Sequence, residues 1–227
     1  MSLTDTFIDL SERGLVPDFL IRAGIKGLCR KRLRQCKTND CEANAELAED
    51  YIRSFDESPL AVLTDKANEQ HYEVPATFYH KVLGKNLKYS SCYFEDLVSD
   101  LTTAEDKALK LTCENADLEN GQQILELGCG WGSLSFWMAK NFPKSKITSI
   151  SNSNSQREYI MRTAKERKLK NLNVITADVN SFETDTTYDR VVSVEMFEHV
   201  RNHRGLFKRI HSWLKKDGKL LLTHMKK

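Results

Sequence analysis

No apolar run in these 227 residues approaches the roughly 18 that a membrane-crossing helix needs, which excludes such a segment from the sequence. A surplus of one charge is missing too. Lys and Arg number 34 against 32 Asp and Glu, and a net charge of +2 predicts no nucleic-acid partner. Residues 1–10 include Asp5 and Asp9 and lack a basic stretch, so no secretory signal is expected there. The six cysteines, at 29, 36, 41, 92, 113 and 129, form no C-x-x-C pair. Reduced thiols in a cytoplasmic protein are the expectation. No set of His, Cys and acidic residues has metal-ligand spacing, and no metal site is expected. Internal repeats and low-complexity tracts are absent. What is left is a globular chain, 40% hydrophobic and 29% charged, long enough to bury a sizeable core.

One run stands out: Ile124-Leu125-Glu126-Leu127-Gly128-Cys129-Gly130-Trp131-Gly132. An apolar strand enters a glycine-rich turn with an acid just before the first glycine, and a helix-like stretch follows over 133–140. A dinucleotide fingerprint places glycines at the first, third and sixth positions. Here they stand at the first, third and fifth, Gly128, Gly130 and Gly132, and Ser133 takes the sixth. Strand, acid, G-x-G-x-G and helix resemble motif I of class I S-adenosylmethionine (SAM) methyltransferases. Glycines there let the backbone approach a ligand without a Cβ in the way. Glu126 can hold the loop amides or the ammonium end of the cofactor.

The elements downstream alternate as strand and helix, with strands at about 123–127, 146–150, 172–176, 189–194 and 218–224, a doubly wound α/β pattern. The second strand ends in Ser151-Asn152, where a dinucleotide fold would place a ribose acid, and this counts against NAD. The third runs into Ala177-Asp178-Val179, which resembles an adenine-contact motif with Asp178 accepting from the exocyclic amine. The fourth ends in Glu195-Met196-Phe197-Glu198-His199, at the sheet edge where ligands of parallel sheets bind. Residues 1 to about 115 read as helical. A basic helix over 17–35 carries Phe19, Leu20, Ala23 and Leu28 among Arg22, Lys26, Arg30, Lys31, Arg32 and Arg34. It suits either a solvated face or an acidic membrane surface contacted through residues 19–35. A second helix spans 42–55. A third spans 103–116, with Thr102 or Thr103 as its cap.

Together these residues resemble the cyclopropane-fatty-acid synthase superfamily, and within it the coclaurine N-methyltransferase branch. The likeness runs from about residue 14 to 225. It rests on Gly14-Leu15-Val16-Pro17-Asp18, His71-Tyr72-Glu73-Val74-Pro75, Phe78-Tyr79, Lys88-Tyr89-Ser90-Ser91-Cys92-Tyr93-Phe94, the glycine loop, Ser151-Asn152-Ser153 with Gln156, the Glu195–His199 run, and Leu222-Thr223-His224. The resemblance implies a Rossmann-like SAM-binding domain over 116–227 and a helical N-terminal region and cap over 1–115. It implies that Gln156 replaces the ribose acid and that Tyr89 and Ser90 close over the methionine end of the cofactor. A complete sheet of this kind has two further strands beside strand five, so the C-terminal strands are expected to be absent, leaving an open edge.

The resemblance also assigns chemistry. N-methylation of a small, largely apolar amine needs a base, because an ammonium has no lone pair. Glu198 and His199 take the positions of base and partner, and Glu195 that of the group facing the cationic substrate. The bland alternative is ion pairing of Glu195 and Glu198 with Arg201 or Arg204. The rival reaction is methylene transfer to an alkene of a lipid acyl chain, for which the resemblance assigns a bicarbonate site to Ser91, Glu198 and His224. A third reading, of another class, is a SAM-binding protein without turnover. Cys129 and Trp137 read as packing residues, Trp131 as packing close to the cofactor, and His203 and His211 as solvated.

Overall fold

The computed structural model describes residues 3–62, 76–95 and 100–223; His71 to Pro75 and His224 lie outside them. The chain divides into two compact units, Met1–Ser54 and Phe55–Lys227. The first holds α1 (Leu3–Glu12), α2 (Asp18–Cys36) and most of α3 (Cys41–Asp56). Ion pairs one helical turn apart, Arg13 with Asp9 and Arg22 with Asp18, lie along α1 and α2. No residue of α2 is buried. Its apolar and basic side chains interleave around the axis, so the helix expected over 17–35 forms without segregating into an apolar and a basic face.

The second unit is built on a parallel five-stranded sheet: β1 (Gln123–Leu127), β2 (Lys146–Ser151), β3 (Leu172–Thr176), β4 (Tyr188–Val194) and β5 (Leu214–Thr223), in spatial order β3-β2-β1-β4-β5. This is the expected doubly wound fold. Between the strands run α6 (Ser133–Asn141), α7 (Asn154–Glu166) and α8 (His203–Trp213), while α4 (Ala76–Val82) and α5 (Leu101–Asn115) precede them. Parallel strands covered on both faces are largely apolar on both, and β1 departs from this within the core only at the buried Glu126. Ile124 packs with Leu134, Met138, Ile147, Ile160 and Val192 on one face. Leu125 and Leu127 pack with Val191, Leu206, Ile210 and Trp213 on the other. The direction of winding reverses between β1 and β4, which opens a crevice beyond their C-terminal ends.

Three local expectations are corrected. The cap of α5 is Asp100, whose carboxylate accepts from Thr103 N; Thr103 is thus the donor and not the cap. The fifth strand starts at Leu214 rather than 218. Lys215, Lys216 and Asp217 look like turn residues, but they bulge between the pairs Tyr188–Leu214 and Arg190–Lys219. Gly218 sits in that bulge, where a Cβ would lie 2.9 Å from Tyr188 O. His203 is not merely solvated: its Nε2 lies 3.2 Å from Phe197 O and its ring stacks on Phe197. Stacking and the hydrogen bond fix the start of α8 against the turn that follows β4.

Leu206 is fully buried between α8 and the sheet. Leu206→Ala should destabilise the chain by about 2–5 kcal/mol in urea denaturation.

Candidate functional site

The glycine loop leaves β1 at its C-terminal end. Gly128 and Cys129 donate their N–H groups to Ile150 O, at 3.1 and 3.0 Å, which pins the turn to β2. Gly128, Gly130 and Gly132 all have positive φ. Their surroundings differ. A Cβ at Gly128 would strike Met196 at 2.8 Å, and one at Gly132 would strike Ile160 at 2.8 Å, whereas nothing lies within 4 Å of one at Gly130. Gly128 and Gly132 are therefore required by packing, and Gly130 opens onto space.

That space is a cavity of about 690 Å³ at the crevice between β1 and β4. Twelve of the residues singled out in the sequence for catalysis or cofactor binding line it, and Ser91 does not. Gly128, Gly130 and Glu126 come from β1 and its loop; Asn152 and Gln156 from the end of β2 and α7; Asp178 and Val179 follow β3. Glu195, Glu198 and His199 come from the turn after β4, and Tyr89 and Ser90 from the segment between α4 and α5. Gly132 does not line it, because it is buried as the residue that opens α6. His224 is outside the described residues.

The walls present unsatisfied polar atoms. Gln156 is 2% exposed; its Oε1 accepts from Ser151 Oγ at 2.7 Å, while its Nε2 has no hydrogen-bond partner among the described residues. Trp131 Nε1 and Ser133 Oγ, also on the cavity, are buried and unpaired in the same sense. Buried polar groups are normally paired, so these three donors suit a polar ligand. Asp178 is already engaged: its Oδ1 accepts from Asn180 N at 2.7 Å and from Asn180 Nδ2 at 2.9 Å. Trp131 also packs between Tyr79 and Tyr159, with ring centroids at 5.2 and 5.5 Å, which seats α4 on the glycine loop.

The acids are handled in two ways. Glu126 is buried beneath the loop, where Ser135 Oγ and Ser149 Oγ both donate to its Oε2. Burial pushes its carboxyl above the ordinary 4.5, and the two serines pull it part of the way back. It faces the loop from below, and burial also pushes up the Cys129 thiol, with Glu126 as a second cause. Cys129 is packed at 6% exposure, as a small core residue. Glu195 is half-buried and reaches the cavity from a left-handed backbone, φ +54. Ser90 Oγ and Ser91 Oγ donate to its two carboxylate oxygens, and Ser91 is itself at φ +55. Two non-glycine residues in that region, joined by a hydrogen bond, cost on the order of 1–3 kcal/mol each and mark an enforced geometry. Glu198 and His199 are exposed on the short 3-10 turn Phe197–His199. Arg204 pairs with Asp56 at 3.3 Å, and the Arg201 guanidinium lies over the Phe55 ring.

Several contributors are not evident from the glycine motif. Ser149 sits among apolar residues on β2 and Ser135 on the buried face of α6; a hydroxyl on an otherwise apolar face is the signal for such a buried partner. Arg209 of α8 donates through Nη1 to Val179 O at 2.7 Å and Asn180 O at 3.0 Å, and through Nη2 to Phe182 O, which clamps the loop after β3. Its place on a basic helix gives no sign of this.

Strand order, reversal point and glycine turn define the Rossmann-like fold of class I SAM methyltransferases. The family model for mycolic acid cyclopropane synthetase matches residues 63–227, and the chain belongs to that family. It is 37% identical over 215 residues to (S)-coclaurine N-methyltransferase of Thalictrum flavum subsp. glaucum, an alignment covering 94% of this chain and 59% of that protein. It is 31% identical over 156 residues to the cyclopropane-fatty-acyl-phospholipid synthase of Escherichia coli (strain K12), covering 68% of this chain and 39% of that one. Among solved structures, coclaurine N-methyltransferase bound to N-methylheliamine and SAH superposes with a TM-score of 0.82 at 34% identity, covering 98% of this chain and 64% of that one. The chain thus spans about three-fifths of the length of the N-methyltransferases it matches.

A raised carboxyl makes a signed prediction. The stability that neutral Glu126 contributes is complete below pH 4.5, the unfolded value, and is lost as pH rises through the folded one. Glu126→Gln keeps an acceptor and cannot ionise. Its urea midpoint should therefore gain on that of the unaltered chain as pH rises from 4.5, whereas a constant difference would mean that Glu126 titrates as in the unfolded chain.

Proposed function

We propose that this chain binds SAM and transfers its methyl group to the nitrogen of a small, largely apolar amine. One observation carries the reading: Glu195, Glu198 and His199 share a short turn at the end of β4, on the same cavity as Gly128 and Gly130. The residues present fit the cofactor. The unpaired Gln156 amide suits a ribose hydroxyl, Gly130 leaves its side of the cavity open for the methionine portion, and Asp178 and Val179, on the same cavity, are assigned to the adenine. Asn152, Tyr89 and Ser90 also line the cavity, where Asn152 is assigned to the ribose and the other two to the methionine end. When bound, SAM supplies an electrophilic methyl on a cationic sulfur, which keeps the bonding pair as the new nitrogen–carbon bond forms. Glu195, fixed by two serine hydroxyls, draws a cationic amine into the cavity. Glu198, with His199 next to it, takes the proton that the nitrogen must shed before its lone pair can attack.

The likeness to a coclaurine N-methyltransferase over 94% of this chain supports the amine as acceptor. Methylene transfer to a lipid alkene is the second reading, supported by the Escherichia coli synthase. Against it, the Ser91 hydroxyl is spent on Glu195 rather than left open toward a bicarbonate. No helix among the described residues is long and apolar enough to cross a membrane.

The test is a calorimetric titration of the 227-residue chain with S-adenosylhomocysteine, followed by radiolabelled methyl transfer to a panel of amines and to vesicles of unsaturated phospholipid. Micromolar binding with label on amines supports the proposal. Label on lipid favours the second reading, binding without transfer points to a SAM-binding protein, and no binding by a cooperatively folded chain removes the cofactor. Gly130→Val should abolish S-adenosylhomocysteine binding, because a branched side chain would enter the open space; unchanged affinity would take the loop out of the site. Glu198→Gln should leave that affinity nearly intact and cut turnover at least about 100-fold. Near-normal turnover would remove Glu198 as the base.

A further inference from the structure

We infer that Glu105 is the positioning residue of the loop that brings Tyr89 and Ser90 to the cavity and Ser91 to Glu195, an inference resting on the cofactor reading above. Glu105 lies on α5 and is completely buried. No cation pairs with it among the described residues. Its carboxylate oxygens instead accept two backbone N–H groups, Oε2 from Asn86 at 2.8 Å and Oε1 from Lys88 at 3.1 Å. Leu87, between those two donors, takes φ +53, and its side chain is buried in the core. The carboxylate therefore holds together a turn that its own backbone does not favour. Asn86 Nδ2 donates to Asp106 Oδ1 at 2.6 Å, and Tyr93 N donates to Ala104 O at 3.1 Å. The segment is fastened to α5 on both sides of Tyr89, Ser90 and Ser91; Tyr89 and Ser90 line the cavity, and Ser90 and Ser91 donate to Glu195.

Stability alone does not call for an acid here. Burying a carboxylate without a cation is expensive, and an apolar side chain could fill the space at less cost. What an apolar residue cannot do is accept two N–H groups spaced two residues apart. The room for this arrangement is specific as well. A Cβ at Gly84, whose φ is not positive, would stand 2.6 Å from the Glu105 carboxyl carbon. Gly84 thus keeps clear the space that the carboxylate occupies.

Two variants test the assignment by different routes. Glu105→Gln turns one acceptor into a donor that faces a backbone N–H. Gly84→Ala leaves the acid in place and crowds it out of position. The measurements are residue-resolved amide hydrogen exchange and S-adenosylhomocysteine titration. In both variants, exchange at Asn86 and Lys88 should quicken at least about tenfold while the β1 amides keep their original rates. Affinity should fall at least about fivefold in the same proteins. Unchanged exchange at Asn86 and Lys88 would overturn the anchoring. Faster exchange with unchanged affinity would overturn the positioning role and leave a structural one. Should the unaltered chain fail to bind S-adenosylhomocysteine, the cofactor reading falls and the positioning role with it, whereas the exchange data still decide the anchoring by themselves.

Discussion

The contact between Gly128 and Met196 is the constraint on which the site depends. Any side chain at 128 would drive into the Met196 Cβ and Cγ, because β1 and β4 are neighbours and their C-terminal turns meet. Only a residue without a Cβ, in a left-handed backbone, allows that approach. Two motifs more than sixty residues apart thereby become one wall, with the glycine turn on one side and the two acids and His199 on the other. The reversal of winding between β1 and β4 creates the crevice, and this contact joins the two turns that edge it.

Much of this was legible in the sequence. The apolar strand, the acid and the glycine spacing locate the β1 turn, because few other chain conformations use those residues in that order. The strand ends predict which residues converge, since a parallel sheet gathers its ligand-facing turns at one edge. What stayed hidden were contacts between elements far apart in the chain. Arg209 reads as one more basic residue on a helix, yet it closes over the carbonyls of 179, 180 and 182. Glu105 reads as one charge in a polar helix, yet it is fully buried. Asp100 displaced Thr102 and Thr103 as a cap because a local carboxylate could reach the same N–H, a choice that sequence pattern alone does not rank. Lys215 to Asp217 looked like a turn because a bulge uses turn residues inside a strand.

Glu195 bears on the choice between amine and alkene. A carboxylate held by two hydroxyls and set on an unfavourable backbone is a fixed negative charge with little freedom to rearrange. Fixed charge aimed at a cationic reactant needs no reorganisation when the reaction occurs. An alkene carries no charge to be attracted. In that reaction the carboxylate would have to find its use later, when positive charge develops on carbon. On the proposed reading, the Glu195 carboxylate favours a substrate that arrives charged.

The acids of this unit thus divide by exposure, and exposure separates their roles. Glu105 and Glu126 are both buried, and each is satisfied by neutral donors: backbone N–H groups for one, serine hydroxyls for the other. Each sits behind a segment that lines the cavity, the 84–93 stretch and the glycine turn respectively. A buried acid of this kind has spent its acceptors on the fold and cannot exchange protons readily with a ligand. Glu198, by contrast, is exposed and lines the cavity, as the proposed role of base requires. A buried pair that shapes the loops and an exposed acid left for the proposed proton transfer is the division expected where rigid geometry and proton transfer must coexist in one cavity.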